Sequence, residues 1–174
     1  MEAITDGRVE RIEGGRLAEL YTRYADGTVR LAYLLTGDQG LAEDLTQEAF
    51  IRLAGRFLHL RNAAGFEAYL RRTVVNLANS HFRRRRAEQA SLQRRAGLRD
   101  PEPASSDPED RDVMRRALLR LPQRQRTAVV LRFYEDLSEQ QTADVMGCST
   151  GTVKTLVSRG LERLRAQLRG GTEQ

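Results

Sequence analysis

Apolar residues recur at three- and four-residue steps along most of the chain, the spacing that places them on one face of an α-helix. From Arg16 to Leu35 the series is Leu17, Leu20, Tyr24, Leu31 and Leu35. Gly27 interrupts it, weakening a helix by about 1 kcal/mol relative to alanine and allowing a kink. Thr36-Gly-Asp-Gln-Gly40 reads as a turn. Asp38 or a neighbour then caps a second helix, about 41–57, with Glu43 and Asp44 favourably placed at its positive end. Leu41, Leu45, Ala49 and Leu53 form its inner face. After a loop from His59 to Gly65, a third helix is expected over 66–86. Phe66, Leu70, Val74, Leu77 and His81 line one side; Arg72, Asn76, Asn79 and Arg83 line another.

The periodicity stops at Asp100-Pro-Glu-Pro-Ala-Ser-Ser-Asp-Pro-Glu-Asp110, which holds three of the four prolines and no large apolar residue. Such a segment cannot build a core. The fold class is therefore all-α, with two small helical domains joined by a flexible, acidic, proline-rich linker. The boundaries are an N-terminal extension 1–15, a first domain 16–88, a linker 89–112 and a second domain 113–169. Four short helices are expected in the second domain. The first, 113–121, stops at Pro122, which suits the start of the next, 123–134. Val129, Val130 and Phe133 are that helix's core candidates. Ser138-Glu-Gln-Gln141 has the form of a capping box for the third helix. That helix ends at Met146, where Gly147 supplies a left-handed stop. Ser149 caps a fourth helix, 150–168, with Val153, Val157, Leu161, Leu164 and Leu168 inward.

Charge changes this picture from a scaffold to a polyanion binder. The formal net charge is +5, and all but one of the 29 basic residues are arginine. Residues 83–99 carry seven basic and one acidic residue, residues 100–112 one and six, and residues 113–174 eleven and six. Two basic regions thus flank an acidic strip, the layout of a chain that touches nucleic acid in two places. The bland alternative is a set of solvated helix faces. Against it, the α-helical stripe Arg72, Asn76, Asn79 and Arg83 uses asparagine, a middling helix former, where solvation alone favours Glu or Lys. Arginine and asparagine suit phosphates and base edges.

Enzyme chemistry finds little support. The chain has one cysteine and two histidines, with no phosphate-binding glycine loop and no nucleophile elbow. No metal and no cofactor is expected. No apolar run is long enough for a membrane span or signal peptide, so the expected compartment is the cytoplasm and no membrane insertion is expected.

Residues 139–158 have the anatomy of a helix-turn-helix. Ala143 permits close approach of the two helices, Gly147 permits the turn, and Val153 buries the second helix against the first. Thr152, Lys154, Thr155, Ser158 and Arg159 then lie on the outward side, suited to entering a major groove. Cys148 reads as a small packed residue of the turn.

These residues carry a resemblance to bacterial RNA polymerase sigma factors. Gly151-Thr-Val-Lys-Thr155 with Ser158-Arg-Gly-Leu161 resembles their promoter-reading helix, and Leu121-Pro-Gln-Arg-Gln-Arg126 with Val129-Val-Leu-Arg-Phe133 the start of their fourth conserved region. Leu41-Ala-Glu-Asp-Leu-Thr-Gln-Glu-Ala-Phe50 is similar to the segment that grips the polymerase clamp. Ala68-Tyr-Leu-Arg-Arg-Thr-Val-Val-Asn76 is similar to the start of the promoter-melting helix. The resemblance spans about residues 16–169 and is to the compact extracytoplasmic-function (ECF) class. Leu34-Leu-Thr-Gly-Asp38 resembles an actinobacterial, sigma-E-like subgroup.

The resemblance implies a protein that binds core RNA polymerase, at its clamp and flap, and directs initiation at promoter DNA without being an enzyme. An anti-sigma factor is a further partner of that class. By position, Asp44, Gln47 and Glu48 would contact polymerase. His59, Arg61 and Asn62 would hold an unpaired base of the −10 element, and Arg72, Asn76, Asn79 and Arg83 would track the melted strand. Gly151, Thr152, Lys154, Thr155, Ser158 and Arg159 would bind the −35 duplex. Two positions depart from the common pattern: Tyr69 stands where many members carry Trp, and Leu156 where many carry Arg. The residues alone leave two rivals open: a free-standing dimeric helix-turn-helix regulator, which leaves the first domain without a task, and a two-domain adaptor that binds only protein, which leaves the capped Lys154–Arg159 helix unexplained.

Overall fold

The computed structural model describes the backbone of residues 3–54, 63–96 and 110–170, and side chains within 17–54, 65–91 and 113–169. Seven α-helices make up the described residues: α1 (Ala3–Thr36), α2 (Gln39–Ala54), α3 (Ala63–Ala96), α4 (Asp110–Leu119), α5 (Gln123–Phe133), α6 (Glu139–Met146) and α7 (Thr150–Gly170). Among the described residues there is no strand, and no helix is long and apolar enough to cross a membrane.

Helices α1–α3 form a three-helix unit around Leu31, Leu35, Leu45, Leu53, Phe66, Leu70 and Val74, all buried. An aromatic chain runs through it: Tyr21 meets Phe50 edge-on at 4.9 Å, and Phe66 lies 6.0 Å from Phe50 and 5.6 Å from Tyr24. Such pairs add to area burial through their quadrupoles. Helix α1 ends where Gly37 takes a left-handed φ of +77° and donates its N–H to the Tyr33 carbonyl at 2.7 Å. Two residues later α2 starts, with Asp38 Oδ1 accepting from the Leu41 N–H at 2.9 Å, the cap its sequence calls for.

Two helices run further than expected. Helix α1 passes Gly27 without a break and begins at Ala3, taking in most of the expected extension 1–15. Helix α3 continues to Ala96, through residues 89–96 of the expected linker. The reason is local: apart from Ser91, 87–96 holds only Ala, Glu, Gln, Leu and Arg, good helix formers, with no Gly or Pro until Gly97. At the other end, α4 begins at Asp110 rather than 113. The rest of the expected linker lies outside the described residues.

Helices α4–α7 form the second unit. Its own core is small: Ala117, Leu121, Val129 and Leu164, with Leu161 and Leu168 against them. The α5–α7 contact is unusually close, because a Cβ on Gly160 would lie 2.7 Å from Val129 Cγ2. Val130, Leu131, Leu137 and Val145 do not join that core; they extend the larger cluster of the first unit. The two units therefore share apolar surface along a seam in which α5 and α6 lie against α1 and α3. Phe133 is 60% exposed, so its assignment to the core is corrected. It is the last residue of α5, past the end of the packed stripe, where Leu137 of the following turn fills the interior instead.

Candidate nucleic-acid interface

The helix-turn-helix is built by local signals that agree with one another. Ser138 Oγ accepts from the Gln141 N–H at 3.1 Å, and Gln141 Oε1 accepts in return from the Ser138 N–H at 2.8 Å, a complete capping box. Helix α6 stops at Gly147, whose φ of 63° and ψ of 43° are left-handed. Ser149 Oγ then accepts from the Thr152 N–H at 3.2 Å and opens α7. Ala143 and Val153, placed at the crossing by sequence, are 2% and 0% exposed.

With Val153 and Gly160 turned inward, the opposite side of α7 is fixed. At roughly 100° per residue, Gly151, Thr152, Lys154, Thr155, Ser158 and Arg159 fall within an arc of about 160°. Five of the six are exposed and Thr152 is half-buried. The Thr152 hydroxyl lies 2.9 Å from Ser149 Oγ, and the Thr155 hydroxyl donates to the Gly151 carbonyl at 3.0 Å, leaving lone pairs free to accept. Lys154 Nζ lies 3.4 Å from Glu139 Oε2 across the motif. Beside it, Arg132, Phe133, Lys154, Val157 and Arg165 line a cleft of about 300 Å³. Cys148 is a free, half-buried thiol in the turn, as its sequence position suggests.

The second polar face lies on α3. Arg72, Asn76, Asn79 and Arg83, spaced by four, three and four residues, occupy an arc of only about 60°. Arg72, Asn76 and Arg83 are exposed. Asn79 is half-buried, because its Oδ1 accepts from Gln123 Nε2 of the second unit at 2.7 Å. The expected base-holding residues His59, Arg61 and Asn62 lie outside the described residues.

A third face lies on α2. Asp44 and Gln47 are exposed, and Glu48 pairs with Arg52 one turn on. The structure adds a residue that sequence reasoning missed. Ile51 is 72% exposed, seven positions after Asp44 and on the same side. An apolar residue on an otherwise polar stripe was the signal for it.

Comparisons with known proteins give these faces a family. The family model "Sigma-70 region 2" matches residues 20–88, and "Sigma-70, region 4" matches residues 111–164. The sequence is 35% identical over 145 residues to the RNA polymerase sigma-E factor of Streptomyces coelicolor, covering 82% of this chain and 80% of that one. It is 38% identical over 156 residues to the ECF RNA polymerase sigma factor SigE of Mycolicibacterium smegmatis, covering 86% of this chain and 60% of that one. Among solved structures, the sigma factor RpoE of Bartonella quintana, crystallised with the anti-sigma factor NepR, superposes with a TM-score of 0.71 at 25% identity. That match covers 87% of this chain and 96% of that one. Two region models in the order and spacing of the two helical units, and relatives similar across both, place this chain in the extracytoplasmic-function class of sigma-70 factors.

Proposed function

We propose that this chain recruits core RNA polymerase to its promoters through three faces: α2 on polymerase, α3 on the melted −10 strand and α7 in the −35 major groove. The observation that carries this reading is the exposed polar arc of α7, held outward by a fully capped helix-turn-helix and backed by Val153 and Gly160. The stripe on α3 supports it with arginine and asparagine side chains aligned on one side of a long helix. Each unit alone offers DNA a small surface. Polymerase, by holding both, converts two weak contacts into one strong one. Capture of an unpaired base offsets the few kcal/mol that unstacking costs. Polymerase performs the chemistry and this chain none. The work is cytoplasmic, where polymerase acts, and an anti-sigma factor is the partner that would withhold the chain from it.

The dimeric-regulator alternative is not favoured, because region 2 accounts for the first unit. Run-off transcription with core polymerase and a promoter library tests the reading. The chain should confine initiation to one promoter class. Arg159→Ala should relax base choice at one −35 position at a cost of about 1–3 kcal/mol. Transcription that does not depend on the chain, or −35 selectivity unaltered by both Lys154→Ala and Arg159→Ala, would remove the assignment.

A further inference from the structure

Past the last core residue of α3, the interior side of the helix changes its chemistry while keeping its direction. Phe66, Leu70, Val74 and Leu77 hold that side in the first core, each of them buried. The next positions on it are His81, Arg84, Arg85 and Glu88. At about 100° per residue these four continue the arc of the apolar residues, and they lie on the side of α3 opposite Arg72, Asn76, Asn79 and Arg83. A strand lying along that stripe would not reach them. They overlook the turn between α1 and α2, and the two together form a groove of about 540 Å³. Thr36, Asp38 and Leu41 of the turn line it from the other side, and Phe82 lines it from α3.

Polar groups in this groove are left without protein partners. Arg84, Arg85 and Glu88 are exposed and pair with no other described residue, although Glu88 stands one turn after Arg84. His81 is half-buried, with its ring edge-on to Phe82 at 5.8 Å, and neither imidazole nitrogen has a hydrogen-bond partner among the described residues. The Thr36 hydroxyl donates to the Ala32 carbonyl at 2.8 Å. Asp38 uses one carboxylate oxygen, which accepts from the Leu41 N–H at 2.9 Å, and keeps the other free. Solvation alone would be served by any polar residues at these positions. The arrangement is more particular than that. Arg84 and Arg85 stand at the two margins of the arc, about 100° apart, with His81 and Glu88 between them. Two guanidinium forks thus flank an imidazole and a carboxylate.

We propose that the groove between the α1–α2 turn and the back of α3 is a binding site for a nucleoside phosphate. Arg84 and Arg85 suit phosphate oxygens, which guanidinium forks bind bidentately. His81 adds a donor beside them. Asp38 and Glu88 count against a ligand that is anionic throughout, such as polyphosphate or a phosphodiester strand, because two carboxylates repel it. They suit hydroxyl donors instead, as an acidic residue does for the ribose of a dinucleotide. Leu41 and Phe82 give the base an apolar wall, and stacking on an aromatic ring is open to every base. The volume falls within the roughly 300–1,000 Å³ of small-molecule sites. Every lining residue belongs to the first unit, so the site needs nothing from α4–α7. It stands whether or not the stripe on the other side of α3 tracks DNA.

The test is a calorimetric titration of the full chain, free of divalent metal, with ADP, GDP, CDP and UDP, their 2′-deoxy counterparts and pyrophosphate. His59 and His81 are the chain's two histidines, so their imidazole resonances, followed in parallel, locate the ligand. At least one diphosphate should bind saturably and move the His81 resonance but not that of His59. Arg84→Ala/Arg85→Ala should weaken it about tenfold or more, the worth of charged hydrogen bonds. Asn caps a helix as well as Asp does, so Asp38→Asn keeps the start of α2 intact. Combined with Glu88→Gln, it should bring a preference for ribose over deoxyribose of about three- to tenfold close to parity. Arg72→Ala and Asn76→Ala, on the opposite side of α3, should leave diphosphate affinity where it is. The site is overturned if no diphosphate binds, if pyrophosphate binds as tightly as every diphosphate, or if Arg84→Ala/Arg85→Ala is without effect. A His81 resonance that stays in place, or displacement of the diphosphate by a −10 single strand, overturns it equally.

Discussion

Helices α7 and α3 carry polar faces of similar chemistry, yet they are supported in opposite ways. On α7 the arc from Gly151 to Arg159 meets solvent, and the helix is seated from behind by a close approach to α5. On α3 the stripe is narrow and well ordered by a large core, but the second unit lies along its margin and takes up Asn79. In the proposed reading the α7 face is therefore open to duplex in the free chain, whereas the α3 face has one member, Asn79, held by the second unit. The contrast extends to the cores. The first unit has an aromatic chain and deep burial of its own. The second has four buried apolar residues of its own and lends Val130, Leu131, Leu137 and Val145 to the seam.

The comparison is broken most strongly at Gly160. A methyl there meets Val129 Cγ2 at 2.7 Å, and Val129 is β-branched, buried and unable to turn aside cheaply. Overpacking of this kind costs about 1–3 kcal/mol, from which the better helix propensity of alanine returns up to about 1 kcal/mol. Gly160→Ala should lower the urea midpoint of the second unit and tilt α7, weakening −35 duplex binding while leaving polymerase contact through α2 intact. An unchanged midpoint would show that α7 does not depend on this approach.

Gly27 is the counterpart in the first unit and should respond with the opposite sign. It lies inside α1, a methyl group added there would meet nothing within 4 Å beyond its own turn of helix backbone, and its φ is not left-handed. Gly27→Ala should stabilise the protein by about 1 kcal/mol, through helix propensity and a less flexible unfolded chain. The check is thermal unfolding by circular dichroism. A lower melting temperature would mean that α1 needs freedom at this point.

What the sequence revealed follows from how local each signal is. The capping box at Ser138, the left-handed stop at Gly147, the Ser149 cap and the buried Val153 all act within a few residues, and each stands where its pattern places it. The α3 stripe is equally legible because helical spacing alone puts its members in line. Helix ends are less so: α3 runs to Ala96 because nothing in 87–96 halts a helix, although the linker is expected from 89. The exposed Phe133 and Ile51 depend on which surfaces meet across the fold, and periodicity carries no such information. The seam is hidden for the same reason. Glu135 and Gln123 look like ordinary surface residues until α3 is brought beside them.

The smallest effect concerns the readiness of α7. Lys154 belongs to the proposed DNA-facing arc, but in the free chain its ammonium lies 3.4 Å from Glu139 Oε2, with both side chains well exposed. Exposed pairs are worth about 0.2–1 kcal/mol, so a phosphate competes with Glu139 at little cost. Glu139 also occupies the first turn of α6, where a negative charge favours the helix by about 0.3–1 kcal/mol. Glu139→Gln separates these roles. Freed of its carboxylate, Lys154 should bind −35 duplex about two- to fivefold more tightly at low salt, an increment within the range of one exposed pair. The gain should shrink as ionic strength rises and the Debye length shortens to about 8 Å near physiological salt. Over the same substitution the second unit should lose a few tenths of a kcal/mol, since α6 gives up a favourable dipole contact. Affinity and stability thus move in opposite directions. A parallel fall in both at every salt concentration would mean that Glu139 positions Lys154 for DNA rather than competing with it, and the face on α7 would then be prearranged by α6 instead of merely left open by it.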